Sequence, residues 1–298
     1  MDVSVIIVTY NTMQMTHDCI ESIFEKTKEI EFEVILVDNA SSDGSRDFFA
    51  KDQRIRYVYS SENLGFGKGN NLGVEYASGK YIFYLNSDTL LLNNAIKEFF
   101  VWMERQPLQV GCCGCMLLDA SNKPVNSFQD MQGWFYFLRN ILAWYHVRIK
   151  PKYNSSILPT IDYPRKVGFV VGADLFVRRE CLDKCGQFDS DFFMYYEETE
   201  MQSRFHRGGF ESWCINTPKI KHLVGQSVKK DKNYSLRRFI GQLESRYLYI
   251  RKVFGLFDRY FIYFIHLFYL PILPFKKALP GEKKKVCHII LEPFIKMK

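Results

Sequence analysis

Three short apolar runs, each closing on a cluster of small polar residues, constrain this 298-residue chain most. Val3–Val8 is almost wholly apolar and closes on Thr9, Tyr10 and Asn11. Phe32–Val37, broken only by Glu33, closes on Asp38, Asn39 and the turn-forming stretch through Gly44. Tyr81–Leu85 is wholly apolar and closes on Asn86, Ser87 and Asp88. Runs this short, bounded by turn residues, read as strands buried on both faces of a parallel sheet. Helical patterns lie between them. Met13–Lys26 sets Met13, Cys19, Ile20, Ile23 and Phe24 on one face, Ser42–Ala50 opens on a cap-like Ser-Asp pair, and Gly67–Ala77 stops at Ser78 and Gly79. Arg54–Tyr59 reads as a further strand. Strands alternating with helices predict an α/β fold with right-handed crossovers and a mainly parallel sheet flanked by helices. In such a sheet ligands bind beyond the carboxyl ends of the strands, so the three polar clusters predict one convergent site.

Further along, Leu91–Arg105 reads as an amphipathic helix and Val110–Leu118 as a strand. Residues 119–166 are irregular and aromatic and read as loop and excursion. Gly168–Arg178 reads as a strand, Glu198–Arg207 as a helix, and Ser212–Ile215 and Lys219–Leu223 as short strands. After Gly225 the composition shifts. Residues 1–228 carry 24 bases and 28 acids (−4), whereas residues 229–298 carry 16 bases and 5 acids (+11). The expected organisation is therefore a catalytic domain over 1–228, split into halves at 118/119, and a basic, aromatic helical extension over 229–298. Charge this uneven argues against a nucleic-acid binder. The eight cysteines include no C-x-x-C pair, and they read as buried free thiols suited to a reducing cytosol. The amino terminus has no basic segment ahead of its apolar run and is not read as a signal peptide.

The strand-end clusters carry the first candidate site residues. The stretch Asn63–Gly73 is glycine-dense, but it follows the wrong strand and has the wrong spacing for a dinucleotide fingerprint, and no P-loop is present. Its glycines suit either close approach to a ligand, with Lys68 near an anion, or a loose helix entry. Asp88 is placed to hold a hard divalent cation and is equally placed to cap a helix. In Phe192–Met201, aromatic residues lead into Glu197, Glu198 and Glu200. Glu200 can pair with Arg204 one turn on, which leaves Glu197 and Glu198 to face a site. Crowded carboxylates between aromatic walls have raised pKa values, as a general base requires; the same acids would also suit a solvated helix start. His222 is a lone histidine after a short strand, a position more often structural than functional.

Taken together, these segments resemble the family-two inverting glycosyltransferases of GT-A fold, and more narrowly the bacterial rhamnosyltransferase-like branch. The resemblance rests on Val3–Asn11, Val37–Ser45, Asn63–Gly73, Leu85–Thr89, Gly172-Ala173, Gly186–Asp189, Phe192–Arg204 and His222, in that order. It implies that Thr9, Tyr10, Asn11 and Asp38 hold the nucleoside of a nucleotide sugar, with Asn39 in support. Gly65, Lys68 and Asn71 would line the donor pocket. Asn86-Ser87-Asp88 stands where the family has its Asp-x-Asp metal motif, so Asp88, with His222, would hold Mg2+ or Mn2+. The family's Glu-Asp pair falls on Glu197-Glu198, with Glu198 as the base and Glu197 as the fallback. The implied donor is dTDP- or UDP-linked, and the implied acceptor is a glycan or lipid-linked glycan, which the irregular residues 119–166 would touch. The competing classes are a non-catalytic nucleotide-sugar-binding scaffold and a sugar-nucleotide pyrophosphorylase; the latter lacks its glycine-rich signature here.

Residues 260–275 carry no formal charge, and as a helix they would reach about 24 Å, short of the roughly 30 Å hydrocarbon core. Two prolines and the flanking lysines suit a segment lying in an anionic membrane interface. The expectation is a cytoplasmic protein held on the inner face of the cytoplasmic membrane by its tail. A hairpin packed on the protein, or a homodimer contact, would use the same aromatic surface.

Overall fold

The computed structural model describes residues 1–131, 136, 162–223, 234–267, 285 and 287–291. In chain order the first half contains β1 (Val3–Thr9), α1 (Met13–Lys26), β2 (Phe32–Asn39), α2 (Ser45–Phe49), β3 (Arg56–Ser60), α3 (Gly65–Val74), β4 (Tyr81–Leu85), β5 (Thr89–Leu91) and α4 (Ala95–Glu104). Then come β6 (Val110–Cys115), β7 (Phe128–Gln129), β8 (Arg165–Val167), β9 (Phe169–Val170), β10 (Asp174–Arg178), α5 (Arg179–Cys185), α6 (Glu197–Arg207), β11 (Glu211–Ile215) and β12 (Ile220–His222). Two long helices, α7 (Tyr234–Val253) and α8 (Leu256–Leu267), follow. The chain divides into two units. One holds the described residues of 1–130, 162–193 and 197–223; the other holds Met194–Tyr196 and the described residues from 234 onward.

The main sheet has eight strands in the order β3-β2-β1-β4-β10-β6-β11-β8. The first four are mutually parallel, as the alternating pattern predicts. Beyond β4 the sheet is mixed, because β10 runs antiparallel to both β4 and β6. Successive side chains of β1 and β4 point to opposite faces, and both faces are covered. Val5, Ile7, Phe83 and Leu85 share a buried cluster with Cys19, Ile20 and Ile23 of α1 and Phe99 of α4. Ile6, Ile82 and Tyr84 share another with Leu182 of α5 and Met201 and Phe205 of α6. Burying each such side chain contributes about 1.5–3 kcal/mol, so these strands are fixed in place by packing from both sides.

Several expected elements differ. The helix predicted from Leu91 starts at Ala95, because Thr89–Leu91 pairs instead with Ile220–His222 in a separate two-stranded sheet. Asp88 therefore caps no helix. The Gly168–Arg178 run breaks into β9 and β10, which belong to different sheets. The glycine-rich stretch forms α3, and its close approaches are to protein. A Cβ on Gly73 would lie 2.5 Å from Ile6 Cγ2, so this glycine lets α3 settle onto β1. Cys19, Cys112, Cys113, Cys115, Cys181 and Cys214 are buried free thiols, the small apolar role expected of them. Cys113 and Cys115 face one core layer and Cys112 the other, and no group of three potential metal ligands exists among the described residues. Among those residues no helix is long and apolar enough to cross a membrane. Most of the irregular stretch expected to touch an acceptor (132–135 and 137–161) and the tail beyond Leu267 as far as Lys284 lie outside the described residues.

Candidate active site

The polar clusters at the ends of β1, β2 and β4 are joined by hydrogen bonds. Asn11, at a left-handed φ of 55°, receives its link from the second cluster: its N–H donates to Ser41 Oγ at 3.0 Å and its Oδ1 accepts the Ser42 N–H at 2.7 Å. Thr12 Oγ1 lies 3.3 Å from Ser87 Oγ, which ties the first cluster to the third. The convergence predicted from the strand ends is thus present.

Individual roles separate within it. Asp38 is fully buried; it accepts the Ser41 N–H at 2.8 Å and the Tyr57 hydroxyl at 2.6 Å, which leaves lone pairs for a ligand. The buried Tyr57 phenol, hydrogen-bonded to that carboxylate, is correspondingly reluctant to ionise. Asn39 spends its amide on Asn63, Leu64 and Gly65, so it shapes the loop into α3. Tyr10 is 49% exposed at the rim, where a base could stack. Ser87 stays beside the polar end of the sheet, and Lys68 is exposed on α3.

Three residues expected to touch the donor do other work in the structure. Thr9 is buried, with its hydroxyl among Thr12 and Thr16 at 3.0 and 2.8 Å. Asn71 uses both ends of its amide on the backbone of Phe188, at 2.8 and 3.1 Å. Gly65 adopts φ +80°, and a Cβ there would strike the Phe193 carbonyl oxygen at 2.2 Å. That carbonyl accepts the Phe66 N–H at 2.9 Å, so Gly65 permits the close crossing of α3's entry with the chain that leads to the acids.

Asp88 and His222 meet at 3.2 Å between Oδ1 and Nε2. The pairing of β5 with β12 brings them together across 134 positions of sequence, since His222 stands opposite Thr89. Asn86 Nδ2 lies 3.4 Å from the same imidazole nitrogen, while Asn86 Oδ1 is buried without a partner. A carboxylate, an imidazole and an orphaned amide oxygen fit a divalent cation that takes its remaining ligands from a diphosphate.

Asp174, which the sequence reading passed over, begins β10 opposite Leu85. Its Oδ2 accepts the Cys115 N–H at 2.7 Å. Complete burial pushes its carboxyl from an ordinary 3.8 up to about 7, against the pull of the Cys115 donors and the His222 charge. A lone carboxylate inside an otherwise apolar strand was the available clue.

Glu197 and Glu198 open α6, where the helix dipole favours negative charge. Glu200 pairs with Arg204, as expected, at 2.9 Å. Arg204 in turn donates to the carbonyls of Gly186 and Gln187 and so fastens α6 to the Gly186–Asp189 loop. Burial, then the neighbouring Glu198 charge, drives the Glu197 carboxyl well above its usual range. Burial likewise raises Glu198, although its own backbone and Thr199 donors hold it back. Glu197 is buried with Oε2 unpartnered, whereas Glu198 is half-buried and so the more accessible of the two. Their Cβ atoms flank α3: Gly67 lies beside Glu197 and Gly172 beside Glu198 and Phe66. The preceding Tyr195 and Tyr196 hold left-handed φ values of 71° and 69°. In the second unit, Ser245 Oγ donates to the Met194 carbonyl at 2.7 Å and Arg246 Nε to the Tyr196 hydroxyl at 2.9 Å.

The glycosyl transferase family 2 domain matches residues 4–184. A low-salt glycan biosynthesis hexosyltransferase, Agl10 of Haloferax volcanii, is 25% identical over 210 residues, covering 69% of this chain and 62% of that protein. Of two other curated glycosyltransferase relatives, the match spans only 19% and 51% of their length. The structure of S. aureus TarS in complex with UDP superposes with a TM-score of 0.58 at 15% identity, over 97% of this chain and 79% of that one. A mannosyltransferase from Pyrobaculum calidifontis, in complex with GDP-Man and Mn2+, gives 0.56 at 17% identity, over 99% and 76%. The fold is thus that of the GT-A glycosyltransferases, and the chain belongs to glycosyl transferase family 2.

Proposed function

We propose that the chain transfers a sugar, with inversion, from a nucleoside diphosphate to a hydroxyl of a glycan or lipid-linked glycan acceptor. The observation that carries this reading is the convergence of an unpaired acid couple, Glu197 and Glu198, with the polar ends of three parallel strands. The Asn39–Gly65 bond and the Gly65–Phe193 crossing link the end of β2 to the chain that leads to the acids, which supports this reading.

Glu198 takes the proton of the acceptor hydroxyl as that oxygen forms its bond to the anomeric carbon. The bond from that carbon to the diphosphate oxygen breaks on the opposite face, and the nucleoside diphosphate departs with the electron pair. A carboxylate whose pKa is raised by burial is a stronger base than an exposed one, and the Glu198 charge in turn keeps the neighbouring Glu197 protonated. Asp38 and Tyr10 orient the nucleoside. Asp88 and His222 would hold a divalent cation, Mg2+ or Mn2+, whose charge neutralises the leaving diphosphate. The resemblance favours a dTDP- or UDP-linked deoxyhexose or hexose; TarS has been seen with UDP and the mannosyltransferase with GDP-Man.

The second unit is read as a membrane-facing extension. Its sequence region carries +11 charges, and Leu256 and Phe257 of α8 are exposed. Calorimetric titration of UDP, dTDP, GDP and CDP, with and without Mn2+, tests the donor site. Binding of one nucleotide that needs the cation and is lost in Asp88→Ala is the expected result. Folded protein that binds none of them is a scaffold and not this transferase.

A further inference from the structure

The second unit contains a cavity of about 410 Å3 lined by residues of α7 and α8 with Lys285, His288 and Ile289, none of which has been assigned a role above. Its walls are rich in nitrogen. Arg251 comes from α7, Arg259 from α8, and Lys285 and His288 from the last described segment. The one acid, Glu244, is already paired with Lys285 at 2.9 Å, so the two arginines face the cavity without a carboxylate of their own among its lining residues. Tyr247 and Tyr263 stack at 5.2 Å to form a rigid aromatic wall.

Arg259 is the telling residue. Its Nη2 donates to the carbonyls of Arg251 and Phe254, at 2.6 and 3.1 Å, which fixes the guanidinium plane at the end of α7. Its Nε–H is buried and has no hydrogen-bond partner among the described residues. A buried donor left unsatisfied is costly, and it marks where an acceptor belongs. A fixed guanidinium, a second arginine and a histidine around one cavity match a group with several anionic oxygens on one centre.

We infer that this cavity binds a phosphate group, and that a membrane lipid supplies it. The lipid source follows from α8 itself. Phe257, Phe261 and Phe264 stand at i, i+4 and i+7, and Phe257 is 85% exposed. At 100° per residue this ridge lies about a third of a turn round the helix from the Arg259–Tyr263 face. An apolar ridge beside a cationic cavity presents the acyl chains and the headgroup of one lipid with their complements. The inference rests on the reading of the extension as membrane-facing.

The test uses the full chain in flotation with vesicles of phosphatidylcholine alone, of phosphatidylcholine with phosphatidic acid, and of phosphatidylcholine with oleate at matched charge. Inorganic phosphate and pyrophosphate are titrated separately by calorimetry. Phosphatidic acid vesicles are expected to bind best, and Arg251→Gln and Arg259→Gln to weaken that binding at least about tenfold. Lys252→Gln, an equal charge loss at the same helix end but outside the cavity, is expected to weaken it about twofold or less. Because Arg259 also fastens α7, Lys285→Gln stands in for it if circular dichroism shows lost helix. Equal binding to phosphatidic acid and oleate, or binding indifferent to the cavity variants, overturns the phosphate site and leaves the membrane reading intact. Pyrophosphate binding that Arg251→Gln abolishes, with no vesicle bound, upholds the phosphate site and overturns its lipid source. No binding of any vesicle or phosphate overturns both.

Discussion

Replacing Asp174 with Asn should change the pH dependence of stability more than stability itself. In the folded protein this carboxyl is wholly buried and holds its proton up to about pH 7, whereas in the unfolded chain it ionises near 3.8. Well below pH 3.8 both states carry the proton, and folding costs nothing on this account. As pH rises the unfolded chain sheds its proton first, so stability falls until the folded group also ionises, just above 7. The separation of about three units corresponds to roughly 4 kcal/mol, at 1.36 kcal/mol per unit, with most of the loss between pH 5 and 8. Asn removes this titration. Its amide oxygen can still accept the Cys115 N–H, but its NH2 then takes the place of an oxygen, Oδ1, that has no partner, at a cost of about 1–3 kcal/mol. Asp174→Asn is therefore expected to be the less stable protein at pH 4 and the more stable one at pH 8. Urea denaturation followed by tryptophan fluorescence, at half-unit steps of pH and in EDTA to exclude cation binding near His222, reads the crossing directly. If the difference between the two proteins stays constant within about 0.5 kcal/mol across that range, Asp174 is ionised in the folded state and the reasoning fails.

Other expectations follow from the acids, α3 and the loop before α6. Glu198→Gln should lower turnover by about a hundredfold or more while nucleotide affinity holds, and the wild-type kcat/KM should rise with pH through a limb above the ordinary carboxylate range; a limb near 4 would show an unperturbed base. Gly73→Ala forces a methyl to within 2.5 Å of Ile6 and should cost about 1–3 kcal/mol in urea denaturation, with no cost expected if α3 can lift off β1. Ser245→Ala combined with Arg246→Ala removes two of the hydrogen bonds to Met194–Tyr196, the residues immediately ahead of the acids. Steady-state kinetics should show kcat down about tenfold with donor KM unchanged, and an unaltered kcat would mean the left-handed tyrosines hold their conformation without α7.

The parts of the fold that were legible in sequence are those set by local pattern. Tyr81–Leu85 and Met13–Lys26 match the structure residue for residue, because an uninterrupted apolar run and a helical apolar stripe each allow one solution. The Glu200–Arg204 pair was legible because both residues sit on one helix. What escaped depends on chain segments far apart. Thr89–Leu91 is a strand only because Ile220–His222 lies beside it. Asn71 shows ligand-binding chemistry in sequence, but its amide is claimed by Phe188, which lies 117 residues away. The antiparallel insertion of Asp174–Arg178 between β4 and β6 leaves no mark on periodicity, since a buried strand reads alike in either direction.

That insertion nevertheless explains where the site's chemistry gathers. In a sheet of parallel strands only carboxyl ends face the ligand crevice, but an antiparallel strand delivers its first residue to the same edge, and here that residue is Asp174. The helix start at Glu197 and the strand end at Asn86 bring two more polar side chains into buried positions. Asn86 Oδ1, Asp174 Oδ1 and Glu197 Oε2 are all buried without hydrogen-bond partners, a costly arrangement in a protein at rest. Asn86 Oδ1 is an acceptor, and each of the two carboxyls, once ionised, offers acceptors alone. A site meant for phosphate alone would leave donors unsatisfied, as Arg259 does in the second unit. On the proposed function these atoms would be met by ligands that bring positive charge and protons: a divalent cation beside Asn86 and Asp88, and a sugar hydroxyl beside Glu197 and Glu198. The unfilled lone pairs of the folded chain are the complement of what a glycosyl transfer must bring together.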